Sequence, residues 1–346
     1  MNKDYNFTVK LTLDCPGKCK CCTNRQKNFD KKGRNEFKIF DLKHFEGVCR
    51  NIKKLNGAYV CLGGGEPTLV YNIDEYIKIA NKYGLATRIN TNGWGVTYEK
   101  LNNWVNLGLD QIVLSVYSLN KNIIQEVRGT EAMYDRMIKV ADVIKEVKEK
   151  SGLIFVLQTV IMKDNYAEMP QILEFALEHN ADRFWASYLE DAVSLEDIRM
   201  DEIDIDNFKN IIIPKMKKII KNKICNENLR GKLLNNIDNY YTNGFNDYIY
   251  HRERFECPFI GKSFTFYPNG NVDPCPGHEY FKSDKQFMVA YNKIDEFMNI
   301  ENLKVNEGTC FEYCKYCPHG IQNELFFKEV FFHERSKKEK KYDLFK

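Results

Sequence analysis

Short apolar, β-branched runs alternate with amphipathic stretches through the first 190 residues, and this alternation restricts the fold more than any other feature. Residues 7–13, 58–62, 86–91, 111–116, 154–161 and 183–187 read as strands. Between them, residues 74–82 carry Tyr76, Ile77 and Ile79, and residues 137–147 place Ile138, Ala141, Ile144 and Val147 at helical spacing. Six successive βα units predict a parallel sheet with helices outside it, either an open doubly wound sheet or a barrel. In both, functional groups gather at the carboxyl ends of the strands.

Composition narrows the class. At roughly 150 residues per domain, a chain of 346 residues suggests about two domains, or a large one with an appendage. The formal charge of +3 is no bulk signature of a nucleic-acid or acidic-membrane partner. No apolar run approaches the roughly 20 residues that span a bilayer, and MNKDYNFTVKLTLDC does not read as a secretory leader, so a cytoplasmic location without a membrane partner is expected. In a reducing compartment, twelve cysteines point to metal or redox chemistry rather than disulfides.

Cys15, Cys19 and Cys22 form C-x3-C-x2-C on a loop directly after the first strand. Three converging thiolates leave one iron of a cubane cluster open for another ligand. Zinc is the competing metal, but a structural zinc site needs four ligands, and only Cys21 lies nearby as a fourth.

This triad, together with Gly63-Gly64-Gly65-Glu66-Pro67 after the second strand, resembles the radical S-adenosylmethionine (SAM) superfamily over residues 7–190. The resemblance implies a partial (β/α)6 barrel. It also implies a [4Fe-4S] cluster on Cys15, Cys19 and Cys22 whose open iron chelates SAM, and reductive cleavage to a 5′-deoxyadenosyl radical that takes hydrogen from a substrate. By the same resemblance Gly63, Gly64, Gly65, Glu66, Asn90, Ser115 and Arg128 are expected at the SAM site, with Glu66 as an acceptor for an ammonium group. Two departures stand out: Tyr117 where many relatives have Asp, and Cys21 where an aromatic residue usually packs beside adenine. Cys21 is read as a small packing residue, and Cys49 and Cys61 as core.

The barrel domain is expected over residues 1–195, after which the pattern changes. Residues 196–256 read as a helical connector, basic from 215 to 232 with six Lys and one Arg against one Glu, which fits a solvated helix face backed by isoleucines. Residues 257–335 read as a separate module: a hairpin turning at Pro268-Asn269-Gly270-Asn271, closed by Cys310, Cys314 and Cys317. With Cys257 and Cys275 it resembles the SPASM and twitch extensions of radical SAM enzymes. That implies one auxiliary [4Fe-4S] cluster on Cys257, Cys275, Cys314 and Cys317, with Cys310 in reserve; a four-Cys zinc site is the alternative. His278 and His319 stay outside this ligand set, and residues 336–346 read as a charged tail.

The expected activity is radical oxidation, crosslinking or epimerisation of a ribosomally made peptide, with Cys225 as the candidate hydrogen donor for epimerisation. Tyr188, Glu190 and Asp191 are candidate pocket groups after the sixth strand. A small sugar or alcohol substrate is the second reading, and a non-catalytic iron–sulfur or zinc protein the third. An electron donor such as flavodoxin or ferredoxin is implied. Because the chain starts directly at the barrel, a separate peptide-recognition protein is a further expected partner.

Overall fold

The computed structural model describes residues 6–22, 39–54, 57–189, 196–243, 263–273, 289–290 and 324–326. Six strands follow in chain order: β1 (Asn6–Thr12), β2 (Tyr59–Gly64), β3 (Ala86–Thr91), β4 (Leu109–Ser115), β5 (Ile154–Ile161) and β6 (Arg183–Tyr188). Each pairs in parallel with the next. A seventh, β7 (Ser263–Phe266), adds in parallel to β1, so half of the expected hairpin extends the main sheet. Its antiparallel partner β8 (Asn271–Asp273) and then β9 (Val289–Ala290) follow on that side, while β10 (Glu324–Phe326) pairs antiparallel with β6 on the other. The seven parallel strands make an open, curled half-barrel; the βα alternation predicted the parallel sheet with helices outside it, and the family resemblance its partial-barrel form.

The crossovers are helical because each buries one apolar stripe. In α1 (Leu42–Lys54) the stripe is Phe45, Val48, Cys49 and Ile52, and in α2 (Ile73–Lys82) it is Ile73, Tyr76, Ile77 and Ala80. Asp74 and Glu75 in the first turn of α2 complement its dipole. Further on come α3 (Tyr98–Asn106), α4 (Lys121–Arg128), α5 (Ala132–Lys150) and α6 (Met169–Glu178). The longest, α5, buries Met133, Met137, Val140, Ala141, Ile144 and Val147, in line with the spacing that predicted it.

Between β6 and β7 the described residues are mostly helical, with α7 (Glu202–Asn207), α8 (Ile213–Lys223) and α9 (Glu227–Ile237). They join the main core through Phe208, Met216, Ile220, Ile237 and Tyr241. Tyr188, a candidate pocket group in sequence, turns instead to this helical side. It is buried, and its hydroxyl donates to the Tyr240 carbonyl at 2.7 Å. The β-period explains this: Tyr188 stands in register with Ile161, on the face that carries Phe184 and Ala186. Glu190, Asp191, Cys257, Cys275, His278, Cys310, Cys314, Cys317, His319 and the tail from 336 lie outside the described residues. Among the described residues no helix is long and apolar enough to cross a membrane.

Candidate functional site

The loop that leaves β1 carries Cys15, Cys19 and Cys22, and two other segments hold its shape. Lys18 and Lys20 N–H groups donate to the carbonyls of Arg128 and Val127 at the end of α4, at 2.8 and 2.9 Å. The Cys22 N–H donates back to the Cys19 carbonyl at 3.1 Å, closing the loop on itself. At Gly17 an added Cβ would lie 3.6 Å from the sulfurs of both Cys15 and Cys19 and only 2.8 Å from Met133 Cε, so a side chain there would collide with Met133 beside the two thiols.

Cys15 and Cys19 thus flank Gly17, and Cys22 lies near enough to act on the Cys15 thiol, but among the described residues no three such side chains stand close enough together to hold a metal ion without rearrangement. Burial pushes the Cys15 thiol up to about 12; the Gly17 N–H opposes that shift, and nearby Glu66, Cys19 and Cys22 reinforce it. Three thiolates that repel one another need a positive centre between them to stay ionised. A cluster iron or another soft cation supplies one, and the donor set suits it.

The glycine run after β2 has a job that the chain itself imposes. The Gly65 N–H donates to Thr12 O at 2.7 Å and the Glu66 N–H to Asp14 O at 2.8 Å, so backbone lies directly on backbone beside the cysteine loop. A Cβ on Gly64, whose φ is +127°, would stand 2.2 Å from Thr12 O, and one on Gly65 would stand 2.2 Å from Asp14 O. At Gly63 the nearest atom would be Thr8 Cγ2 at 3.6 Å, an ordinary contact.

Glu66 is fully buried and accepts four hydrogen bonds from this chain. Oε1 receives Thr68 N–H at 3.1 Å, Thr68 Oγ1 at 2.5 Å and Thr91 Oγ1 at 2.6 Å, while Oε2 receives the Asn92 N–H at 2.7 Å. Burial raises its pKa and these donors pull it back. The carboxylate thus ties the β2 loop to the end of β3, which leaves it little capacity for an outside ammonium group.

At the end of β3, Asn92 Nδ2 reaches Cys15 Sγ at 3.3 Å, and Asn90 Oδ1 accepts from Arg88 Nε at 2.8 Å. Asn92, rather than the expected Asn90, touches the cysteine loop, although both lie in the same Asn-Thr-Asn-Gly run. Strand alternation separates Thr91 from its neighbours, but only the loop contact picks out Asn92.

Ser115 ends β4, half-buried, and its carbonyl accepts from Arg128 Nη2 at 2.6 Å. The Arg128 guanidinium lies over the Tyr117 ring, 4.4 Å from its centre. Arg128 is buried, and its Nε and Nη1 have no hydrogen-bond partner. A buried cation with two donors unpartnered among the described residues, on the segment that holds the cysteine loop, fits a ligand carboxylate, which SAM possesses. Cys21 packs with Tyr117, Val127, Met162 and Leu189, and the Tyr117 hydroxyl donates to its sulfur; burial raises the thiol pKa. Tyr117 and Cys21, the two departures the resemblance picks out, thus pack against one cluster.

The remaining free cysteines lie apart. Cys49 sits in the helical core. Cys61 is also buried, but it stands between Thr8 and Arg88, both hydrogen-bonding to its sulfur, on the face of the sheet away from the helices. Cys225 is exposed in the turn between α8 and α9, with no described contact to the cysteine loop.

Residues 9–176 match the family model of the radical SAM superfamily. Among solved structures, Streptococcus suis SuiB bound to precursor peptide SuiA is 20% identical, with 91% of this chain and 70% of that one covered and a TM-score of 0.62. The same protein bound to S-adenosylmethionine superposes with a TM-score of 0.62 at 19% identity, over 90% of this chain and 70% of that one. Native anSMEcpe with bound AdoMet is 17% identical over 90% of this chain and 86% of that one, with a TM-score of 0.57. At such identities the likeness shows the fold.

Proposed function

We propose, from the match of residues 9–176 to the radical SAM family model, that this chain is a radical SAM enzyme acting on a ribosomally made peptide. The observation that carries the cofactor assignment is the pairing of a three-thiol loop with a buried Arg128 whose Nε and Nη1 lack partners. Cys15, Cys19 and Cys22 would hold a [4Fe-4S] cluster. Once bound, the cluster and SAM together supply an electron and a carbon radical able to take hydrogen from an unactivated C–H bond.

The protein's own work is positional. Gly64 and Gly65 bring the β2 loop onto the cysteine loop, Glu66 locks that loop to β3, and Asn92 donates to Cys15. Arg128, stacked on the Tyr117 ring and held by the Ser115 carbonyl, would hold the SAM carboxylate through its Nε and Nη1. Support for the peptide comes from the neighbour crystallised with its precursor peptide. The same proposal includes an auxiliary [4Fe-4S] cluster on Cys257, Cys275, Cys314 and Cys317, resting on their spacing, and an external one-electron donor such as flavodoxin or ferredoxin.

Anaerobic reconstitution with iron and sulfide tests this reading. About eight iron atoms per chain are expected, falling to about four when Cys15, Cys19 and Cys22 are all replaced by Ala, with loss of SAM cleavage to 5′-deoxyadenosine. Cleavage retained in that variant, or zinc in place of iron, overturns the cluster assignment. Cleavage stimulated by a sugar or alcohol panel and by no peptide removes the peptide.

A further inference from the structure

Strand pairing sorts the sheet into two faces. Phe7, Val9 and Leu11 with Val60, Leu62, Ile89, Ile112 and Leu114 face the helices in one large core. Across the sheet, Val113, Ile154 and Val156 make a separate small cluster against Trp185. The residues in register with that second cluster include Arg88, Gln111 and Gln158. Within β1–β7 none of the described residues sharing this inner face is Asp or Glu, while at the sheet's two ends Asp273 of β8 stands in register with Thr265 and Glu324 of β10 with Trp185.

Two side chains there have needs that the described residues do not meet. Arg88 is half-buried; its neighbours are Asn90 Oδ1 at 2.8 Å, the Cys61 sulfur and the Trp185 ring at 5.6 Å, and no described carboxylate pairs with it. Its register partner Gln111 is 1% exposed, and neither Nε2 nor Oε1 has a hydrogen-bond partner among the described residues. A half-buried guanidinium with no carboxylate partner among the described residues, next to a fully buried amide with none either, is a pair of groups that a ligand could satisfy together.

We infer that this inner face holds a carboxylate-binding subsite for the substrate, in which Arg88 takes the carboxylate and Gln111 pairs with an adjacent amide or hydroxyl group. The subsite rests on the reading of residues 9–176 as a radical SAM catalytic domain. Arg88 lies four residues before Asn92, whose side chain touches Cys15. At about 3.3 Å per residue this is roughly 13 Å of strand, so a substrate anchored at Arg88 extends its far end toward the cysteine loop. A Glu or Asp side chain in a peptide and a free dicarboxylate present the same chemistry, and the test separates them.

The anaerobically reconstituted holoenzyme, with SAM, is titrated with short acetylated and amidated peptides that differ at one position, Glu, Gln or Lys, and with glutarate. Emission from Trp185 reports binding, with Trp185→Phe as the blank. The Glu peptide is expected to bind about tenfold or more tightly than its Gln and Lys counterparts. Arg88→Gln should erase that preference and Arg88→Lys keep part of it. Glutarate matching the peptide, with the same dependence on Arg88, keeps the subsite and makes the substrate a free carboxylate.

Equal affinity for the three peptides in the unaltered enzyme overturns the subsite, and so does a Glu preference that survives Arg88→Gln. SAM cleavage measured on the same samples without peptide addresses the catalytic reading separately. A preparation that prefers the Glu peptide yet never cleaves SAM sinks that reading while leaving the carboxylate site in place.

Discussion

Asn92 Nδ2 donates to Cys15 Sγ at 3.3 Å, joining the end of β3 to the cysteine loop that follows β1. The contact exists because the Asn92 backbone N–H is itself held by Glu66 Oε2 at 2.7 Å, and Glu66 is held in turn by Thr68 and Thr91. One buried carboxylate thereby sets the position of a group touching the Cys15 thiol.

Replacing that carboxylate tests the chain of contacts. Glu66→Gln puts an amide N–H₂ among four donors, so one buried hydrogen bond is lost and two donors oppose each other. A loss of about 1.5–3 kcal/mol in unfolding free energy is expected, measured by chemical denaturation under anaerobic conditions. A stability unchanged within error would show that Glu66 does not organise the loop.

The three glycines should divide. Gly64→Ala and Gly65→Ala drive a methyl group to 2.2 Å from a backbone oxygen, and backbone cannot step aside as a side chain can. Each is expected to cost about 2 kcal/mol or more and to reduce iron incorporation, because Thr12 and Asp14 lead directly into Cys15. Gly63→Ala, with Thr8 Cγ2 at 3.6 Å, should stay within about 0.5 kcal/mol of the parent. Thermal unfolding and iron content of the three variants, compared side by side, decide the matter.

Arg128→Lys should not substitute for Arg128. A lysine has no planar fork with which to donate to Ser115 O and a ligand carboxylate at once, nor a flat face for Tyr117. SAM affinity measured by equilibrium dialysis on the reconstituted protein is expected to fall by about tenfold or more, with the cluster absorbance retained. Unaltered affinity would remove Arg128 from the SAM site.

Away from the site, Lys148 and Asp182 form a buried ion pair at 2.9 Å, with side chains 10% and 6% exposed. Asp182 also accepts the Phe155 N–H at 2.8 Å, fixing the start of β5 against β6. Asp182→Ala strands the Lys148 charge and should cost about 3–5 kcal/mol. Adding Lys148→Met to that variant should recover much of the loss. A double variant no more stable than the single one would place the loss in the Phe155 hydrogen bond.

The strands and their crossovers were legible because their signals are local. Alternation marks the strands and 3.6-residue spacing marks α2 and α5, and neither depends on what the element packs against. The cysteine spacing was legible for the same reason, since three thiols within eight residues of one loop meet in almost any compact loop shape.

Which face each side chain occupies, and what lies opposite, came only from the tertiary structure. Tyr188 turns to the helices, Cys61 turns away from them beside Arg88, and Glu66 closes on Thr68, Thr91 and Asn92. In each case the decisive partner sits on another strand or loop, placed by inter-strand register rather than by sequence neighbours. A strand's alternation names two faces without saying which one is inside, and that choice is made when the helices cover one of them. The pairing of β7 with β1 is decided in the same way, by edge hydrogen bonds between segments about 250 residues apart.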